Sequence, residues 1–132
     1  MVVAKNKALK PTWLKQPEDH DYDAAADFLD LVAVEASVTA TVAALRAAPV
    51  TTKKAKDIIR ASALPLLAMD DKEVAKDIDK VRRGVKLSPV LLVRGDATRP
   101  RPLLVVDGYH RICAAYHLGD DVQVPCHLAD LA

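Results

Sequence analysis

Apolar residues recur at intervals of three and four along the first half of this chain, which is the spacing of helices with one buried face. Two such stripes predict a pair of packed helices, one through Tyr22, Ala25, Ala26, Leu29 and Val32 and one through Val38, Val42 and Leu45. Residues 1 to about 19 contain two prolines and several lysines, so we expect an extended segment with a mobile tip. Trp13 is the bulky residue through which this segment would dock.

Two further helices are predicted in the middle of the chain. The first would be capped by Thr51 or Thr52, and the second by Asp70, with a capping-box Glu73 three residues later. Their apolar stripes are Ala55, Ile58 and Ile59 in the first helix and Val74, Ile78 and Val81 in the second. Between them, the short run 64–67 contains a proline and therefore predicts an edge strand or a connector.

The pattern changes in the last third of the chain to short aliphatic runs. The runs 90–93 and 103–106, joined by a polar segment with glycine and proline, predict an antiparallel hairpin. A helix is then expected from a cap at Asp107 to an end at Gly119, followed by an alternating strand over 122–128. These elements predict an α+β fold with a small mixed sheet and an N-terminal helical layer.

Composition favours one compact unit. The 132 residues are 51% hydrophobic, enough for a single core shared by an N-terminal part, residues 1–62, and a C-terminal part, residues 63–132. The formal net charge of +1 lacks the strong positive field of a dedicated nucleic-acid binder. No apolar run approaches the roughly 20 residues of a membrane span. With no secretion signal either, we expect a cytoplasmic protein that does not associate with membranes.

The segment 104–115 carries the most informative chemistry. An apolar strand ends there in Asp-Gly, and the next residues open a helix with His110 and Arg111. The first turn of a helix has backbone N–H groups without partners and the positive end of the dipole, so it suits an anion. The predicted buried stripe of this helix consists of Tyr109, Ile112, Cys113 and Tyr116. Helical spacing then places Arg111 on the opposite side of the helix.

From Gly108 to Gly119 the chain reads Gly-Tyr-His-Arg-Ile-Cys-Ala-Ala-Tyr-His-Leu-Gly, followed shortly by Val-Pro-Cys. This resembles the ParB/sulfiredoxin superfamily signature, Gly-x-x-Arg-x-x-Ala-x-x-x-Leu-Gly with a closing Ile/Val-Pro strand. The likeness covers roughly residues 64–130 and implies a ParB/sulfiredoxin-like core. It also implies contact with the phosphates of ATP or CTP, the ligands in sulfiredoxins and ParB proteins, through Gly108, Tyr109, His110 and Arg111.

Two departures from that superfamily narrow what the resemblance implies. Tyr109 stands where sulfiredoxins have their reactive cysteine, so reduction of a sulfinic acid by that route is not expected. His110 replaces the first member of the arginine pair found in ParB partition proteins, and no helix-turn-helix region follows the motif, so classical partition is not expected either.

The leading hypothesis is a stand-alone module that binds a nucleotide or another phosphorylated ligand at this turn, with supplementary cations from Lys53, Lys54 and Arg60. The second is a metal-dependent nuclease or nucleotide hydrolase in which Asp107 holds Mg²⁺ or acts as a base. Helix capping is the alternative role of Asp107, and a second carboxylate close by would favour the metal role.

The third hypothesis is a DNA-binding or protein-interaction module of a partition or mobile-element system. Its contact surface would be the basic face of the third helix, formed by Lys53, Lys54, Lys56 and Arg60. No metal site is predicted from the cysteines and histidines. Cys126 and His127 are adjacent in a strand and point to opposite sides, so they cannot close a tetrahedral zinc site with Cys113 and His117.

Overall fold

The computed structural model describes residues 9–132, and the predicted mobile tip lies outside them. These residues form five helices and a four-stranded sheet. The helices are α1 (Asp19–Leu29), α2 (Glu35–Ala47), α3 (Ala55–Ser62), α4 (Lys72–Arg82) and α5 (Tyr109–Leu118). The strands are β1 (Thr51–Lys54), β2 (Val90–Val93), β3 (Leu104–Asp107) and β4 (Gln123–Ala129). No helix in this part of the chain has the length and apolar content that crossing a membrane requires.

The strands lie in the order β1-β4-β2-β3. Strands β2 and β3 are the predicted antiparallel pair, and β4 runs parallel to β2 on its other side. Strand β1 pairs antiparallel with β4 and forms one edge of the sheet, while β3 forms the other edge. The predicted α+β class and the small mixed sheet are therefore confirmed.

Helices cover both faces of the sheet. Leu91 and Val93 pack with α1 and α2 in one buried cluster, whereas Val90 and Leu92 pack with α3 and α5 in another. Helix α4 forms an outer layer, where its buried stripe contacts Cys113 of α5. Strand β2 is thus buried on both faces, which explains its uninterrupted aliphatic sequence.

The N-terminal segment docks through Trp13, as predicted. Trp13 forms an isolated bridge with Leu87, and its side chain packs against the cluster that α3 and α5 cover. The Leu14 N–H donates to the Leu87 carbonyl, and the Leu87 N–H donates to the Thr12 carbonyl, both at 2.8 Å. The extended backbone of this segment therefore has hydrogen-bond partners in the rest of the fold.

The segment 51–54 is a strand rather than the start of α3, so the predicted cap at Thr51 or Thr52 is wrong. Thr51 lies opposite Cys126 in β4, and α3 begins only after Lys54. Pairing with β4 gives this backbone a hydrogen-bonded ladder, and β-branched threonines suit an edge strand. The N-terminal part consequently contributes a strand to the sheet as well as helices.

Helix α1 ends at Leu29, earlier than the apolar stripe predicts. The chain reverses direction there to enter α2, which begins at Glu35. Val32 lies in the corner between the two helices and is 51% exposed, so its predicted burial is wrong. Packing in the core therefore does not explain why an apolar residue stands at position 32.

The N-cap of α4 is Asp71, not the predicted Asp70. The Asp71 Oδ2 accepts hydrogen bonds from the N–H groups of Glu73 and Val74, each at 3.1 Å. The stripe of α4 is buried as predicted, and the chain leaves the helix through Gly84, whose φ is 76°. The run 64–67 is a connector without regular structure.

We expect Asp71→Ala to lower the free energy of unfolding by about 1 kcal/mol, because it leaves two N–H groups of α4 without their acceptor. Urea denaturation followed by circular dichroism measures this loss. Asp70→Ala is the matched control and should leave the stability nearly unchanged. Equal effects of the two substitutions would contradict the assignment of the cap.

Candidate functional site

The turn between β3 and α5 is built around Gly108. Gly108 is the N-cap of α5 with a φ of 107°, so Asp107 is not the cap and that prediction is wrong. A Cβ at this position would lie 2.4 Å from Val90 Cγ1 and 2.8 Å from Val90 Cβ, so only glycine fits. Among residues 9–132, nothing accepts a hydrogen bond from the N–H groups of Tyr109, His110 and Arg111. The turn therefore presents three donors at the positive end of a helix.

Arg111 lies against Asp107 instead of facing solvent. Its Nη2 donates to the Asp107 Oδ2 at 2.8 Å and to the Pro89 carbonyl at 3.4 Å. The side chain is only 17% exposed, so the prediction that it lies on the side of α5 away from the protein is wrong. Its Nε is buried and has no hydrogen-bond partner among the described residues. The guanidinium is thus held by an internal ion pair, with part of its donor capacity unused.

A second carboxylate comes from α1. Asp21 is 4% exposed, its Oδ1 lies 3.9 Å from the Arg111 Nη1, and its carboxyl is within hydrogen-bonding reach of Asp107. Its Oδ2 also accepts from the N–H of Glu18 at 2.8 Å. The sequence contained one signal for Asp21, which is that it shares the helical phase of Ala25 and Leu29 and so belongs to the buried face of α1.

The crowding of Asp107 changes its proton affinity. Burial raises the pKa of the Asp107 carboxyl, and the guanidinium of Arg111 opposes this rise while the neighbouring Asp21 adds to it. The pKa of Asp107 is therefore higher in the folded state than in the unfolded state. Stability is lost as the pH rises from the unfolded pKa through the folded pKa, because the buried carboxyl must then ionise. One carboxyl of the pair therefore holds a proton more readily than an ordinary aspartate.

Asp77 of α4 adds a third carboxyl to this region. Burial raises the pKa of the Asp77 carboxyl, and the positive charges of Lys80, Arg111 and His110 oppose the rise in that order. The Lys80 Nζ lies 3.9 Å from the Asp77 Oδ1. The region between α1, α4 and α5 thus contains three poorly solvated carboxyls, of which Asp107 and Asp21 share Arg111 and Asp77 has Lys80.

Glu18, His20 and Asp21 each place one potential metal-ligand atom within 4.8 Å of the others. Glu18 and Asp21 are already the two partners of a capping box at the start of α1, and Ser88 Oγ donates to Glu18 Oε1 at 3.1 Å. The His20 side chain is 73% exposed. Capping explains why the two carboxylates lie together, so this geometry alone assigns no cation to them.

The basic residues expected to supplement the turn lie elsewhere. Lys53 and Lys54 are on β1, the edge strand opposite β3, about 14 Å away across three strand spacings. Lys54 and Lys56 pair with Asp121 beyond the C-terminal end of α5, and Arg60 pairs with Asp57 within α3. The structure therefore does not bring this cluster to the turn, and the premise that the cluster forms one helical face is wrong.

The remaining candidate side chains have structural contacts. The Tyr109 hydroxyl donates to the Pro65 carbonyl, while His117 and His127 each have a ring nitrogen at a backbone carbonyl, of Leu67 and Ala48 respectively. Cys113 and Cys126 are buried free thiols, and burial raises the pKa of the Cys126 thiol to about 11. A thiol with that pKa stays protonated and unreactive at neutral pH.

A cleft of about 580 Å³ opens at the other end of α5, between Trp13 and Gly119. Because α5 is about 15 Å long, this cleft is remote from Gly108 and does not include the turn.

Comparison of the chain with protein-family models, with curated proteins and with solved structures found no match. The resemblance to the ParB/sulfiredoxin superfamily stays a prediction.

We expect Arg111→Ala to lower the free energy of unfolding by about 3 kcal/mol at pH 7, because it leaves buried carboxylates without their counter-charge. The loss should shrink as the pH falls through the raised pKa of Asp107, where that carboxyl is neutral and needs no partner. Urea denaturation at several pH values measures both effects.

Arg83→Ala is the control for that experiment. Arg83 also pairs with an aspartate four residues earlier, Asp79, but both side chains are more than half exposed. Screening by water makes such a pair weak, so the control should lose far less stability. A loss at Arg111 no larger than at Arg83, or independent of pH, would show that the buried network contributes little.

Proposed function

We propose that the protein binds a nucleotide, such as ATP or CTP, or another phosphorylated ligand at the β3–α5 turn, together with a divalent cation such as Mg²⁺. The observation that carries the proposal is the set of three first-turn N–H groups, of Tyr109, His110 and Arg111, that have no acceptor among residues 9–132. Phosphate oxygens are acceptors of the right charge for such a group of donors. His110 is half-buried in the same turn and supplies a further donor.

The charge of the surroundings explains why a cation belongs to the proposal. Asp107 and Asp21 share the guanidinium of Arg111, whereas Asp77 has Lys80 beside it, so a bare phosphate would lie next to two carboxyls that have one counter-charge between them. Mg²⁺ prefers carboxylate and phosphate oxygens and commonly bridges the two. A cation held by Asp107 would turn the carboxyl from a repulsive neighbour of the phosphate into part of its site.

Each residue of the turn then has a distinct role. Gly108 lets the chain enter α5 close to Val90, so that the first N–H groups point out of the turn. His110 and the three N–H groups contact the phosphate. Arg111 keeps Asp107 in place through its Nη2.

We expect ATP or CTP with Mg²⁺ to raise the melting temperature, because a ligand that binds only the folded state stabilises it by about 2.7 kcal/mol at 100 times its dissociation constant. His110→Ala should remove most of this shift and leave the melting temperature of the free protein nearly unchanged. Differential scanning fluorimetry with and without Mg²⁺ measures both.

Lys53→Ala is the control, since Lys53 lies on the opposite edge of the sheet and its loss should not alter the shift. The proposal would be abandoned if ATP, CTP and GTP all left the melting temperature unchanged, with and without Mg²⁺. An equal shift in wild type and His110→Ala would place the ligand at another site.

A hydrolytic activity is the second candidate, because the structure places Asp21 beside Asp107. With Asp21 beside it, Asp107 can hold a metal ion or exchange a proton with the reacting groups. This arrangement supports metal-dependent hydrolysis of a nucleotide or of a nucleic acid. The third hypothesis, a DNA-binding or protein-interaction module, stays a prediction without a structural observation that favours it.

If the second candidate holds, Mg²⁺ or Mn²⁺ should support release of phosphate from a nucleotide or cleavage of DNA. Asp107→Asn should reduce this rate at least about 100-fold, because the amide neither binds the cation as well nor exchanges a proton. Asp79→Asn, on the exposed side of α4, is the matched control and should keep full activity. No turnover with either metal on any of these substrates would exclude hydrolysis and leave the binding proposal standing.

A further inference from the structure

The corner between α1 and α2 exposes an apolar patch. Leu31, Val32 and Val34 are 83%, 51% and 71% exposed. A groove of about 230 Å³ continues the patch between Val32, Leu104 and Leu131. Single exposed apolar residues are ordinary, but three within four positions beside an apolar groove form a contiguous surface of the kind that marks an interaction site.

Charged groups of both signs lie near this patch. Asp27 and Asp30 of the α1 end are exposed and take part in none of the ion pairs formed by residues 9–132. Arg101 lines the groove on the side of the β2–β3 hairpin, and it has no ion-pair partner in the same part of the chain. Arg94 also lines the groove but is paired with Asp130 at 3.2 Å. Unpaired groups of both signs therefore lie at the border of the patch.

We propose that this patch joins two copies of the chain in a two-fold symmetric dimer. An apolar surface bordered by unpaired groups of both signs can be complementary to itself, because a two-fold axis can bring the acidic groups of one copy opposite the basic group of the other. The two Leu31–Val34 corners would then cover each other. Asp30 of each copy would face Arg101 of the other, which fixes the relative orientation of the two copies.

A protein partner of another sequence could cover the apolar centre, but it would have to carry both a basic group to pair with Asp30 and an acidic group to pair with Arg101. A second copy meets this condition without any further assumption. The corner also lies outside the β3–α5 turn, so the dimer neither requires nor excludes ligand binding there.

Sedimentation velocity over a range of concentrations tests the proposal, with a reversible dimer expected for the wild type. Leu31→Asp should raise the dissociation constant at least about tenfold, because it buries an unpaired carboxylate twice, once from each copy. The side chain is 83% exposed in the single chain, so the substitution should not impair folding. Met69→Asp is the matched control, an equally apolar residue, 49% exposed, in the connector before α4.

Charge reversal tests the orientation. Asp30→Arg and Arg101→Asp should each weaken the dimer, and the variant with both substitutions should recover it, because every pair is then reversed. Three results would overturn the proposal: a wild type that stays monomeric up to about 1 mM, a dimer that Leu31→Asp leaves intact, or a double variant no stronger than the single ones.

Discussion

The ion pair between Arg111 and Asp107, with Asp21 beside it, is the interaction on which the arrangement of this protein depends. Asp107 ends the edge strand β3, Arg111 lies in the first turn of α5, and Asp21 comes from α1, so one guanidinium links three elements. Each of these groups would be costly to bury alone. Helix α1 therefore packs where its buried carboxylate lies close to a positive charge.

That ion pair depends in turn on the backbone at Gly108. A residue with a Cβ would collide with Val90 at the centre of the sheet, and the left-handed φ would strain it further. Glycine lets the chain pass from β3 into α5 without an intervening loop, so Asp107 and Arg111 lie one helical turn apart on adjoining elements. The same sharp turn leaves the first N–H groups of α5 without partners, which links the stabilising contact to the candidate site.

The sequence predicts most of the fold because its stripes and aliphatic runs are local signals. Two of the wrong predictions concern contacts that are distant in the chain. The strand at 51–54 exists because β4, some 70 residues later, offers it a ladder, and no local pattern of two threonines and two lysines shows this. Helical phase alone predicts an outward Arg111, because it cannot show that the Pro89 carbonyl and Asp21, which are 22 and 90 residues earlier, lie beside the side chain together with Asp107.

Donors without partners distinguish the candidate site from an ordinary structural ion pair. A guanidinium that serves stability alone gains most when all its N–H groups are bonded, yet the Nε of Arg111 is buried and unpaired. Close by, three backbone N–H groups also have no partner among residues 9–132, while Asp107 and Asp21 share one guanidinium. Under the proposed function, unused donors beside two carboxyls would suit a ligand that carries both acceptor oxygens and a bound cation. A phosphate accompanied by Mg²⁺ meets both requirements at once, whereas either ion alone would satisfy one and oppose the other.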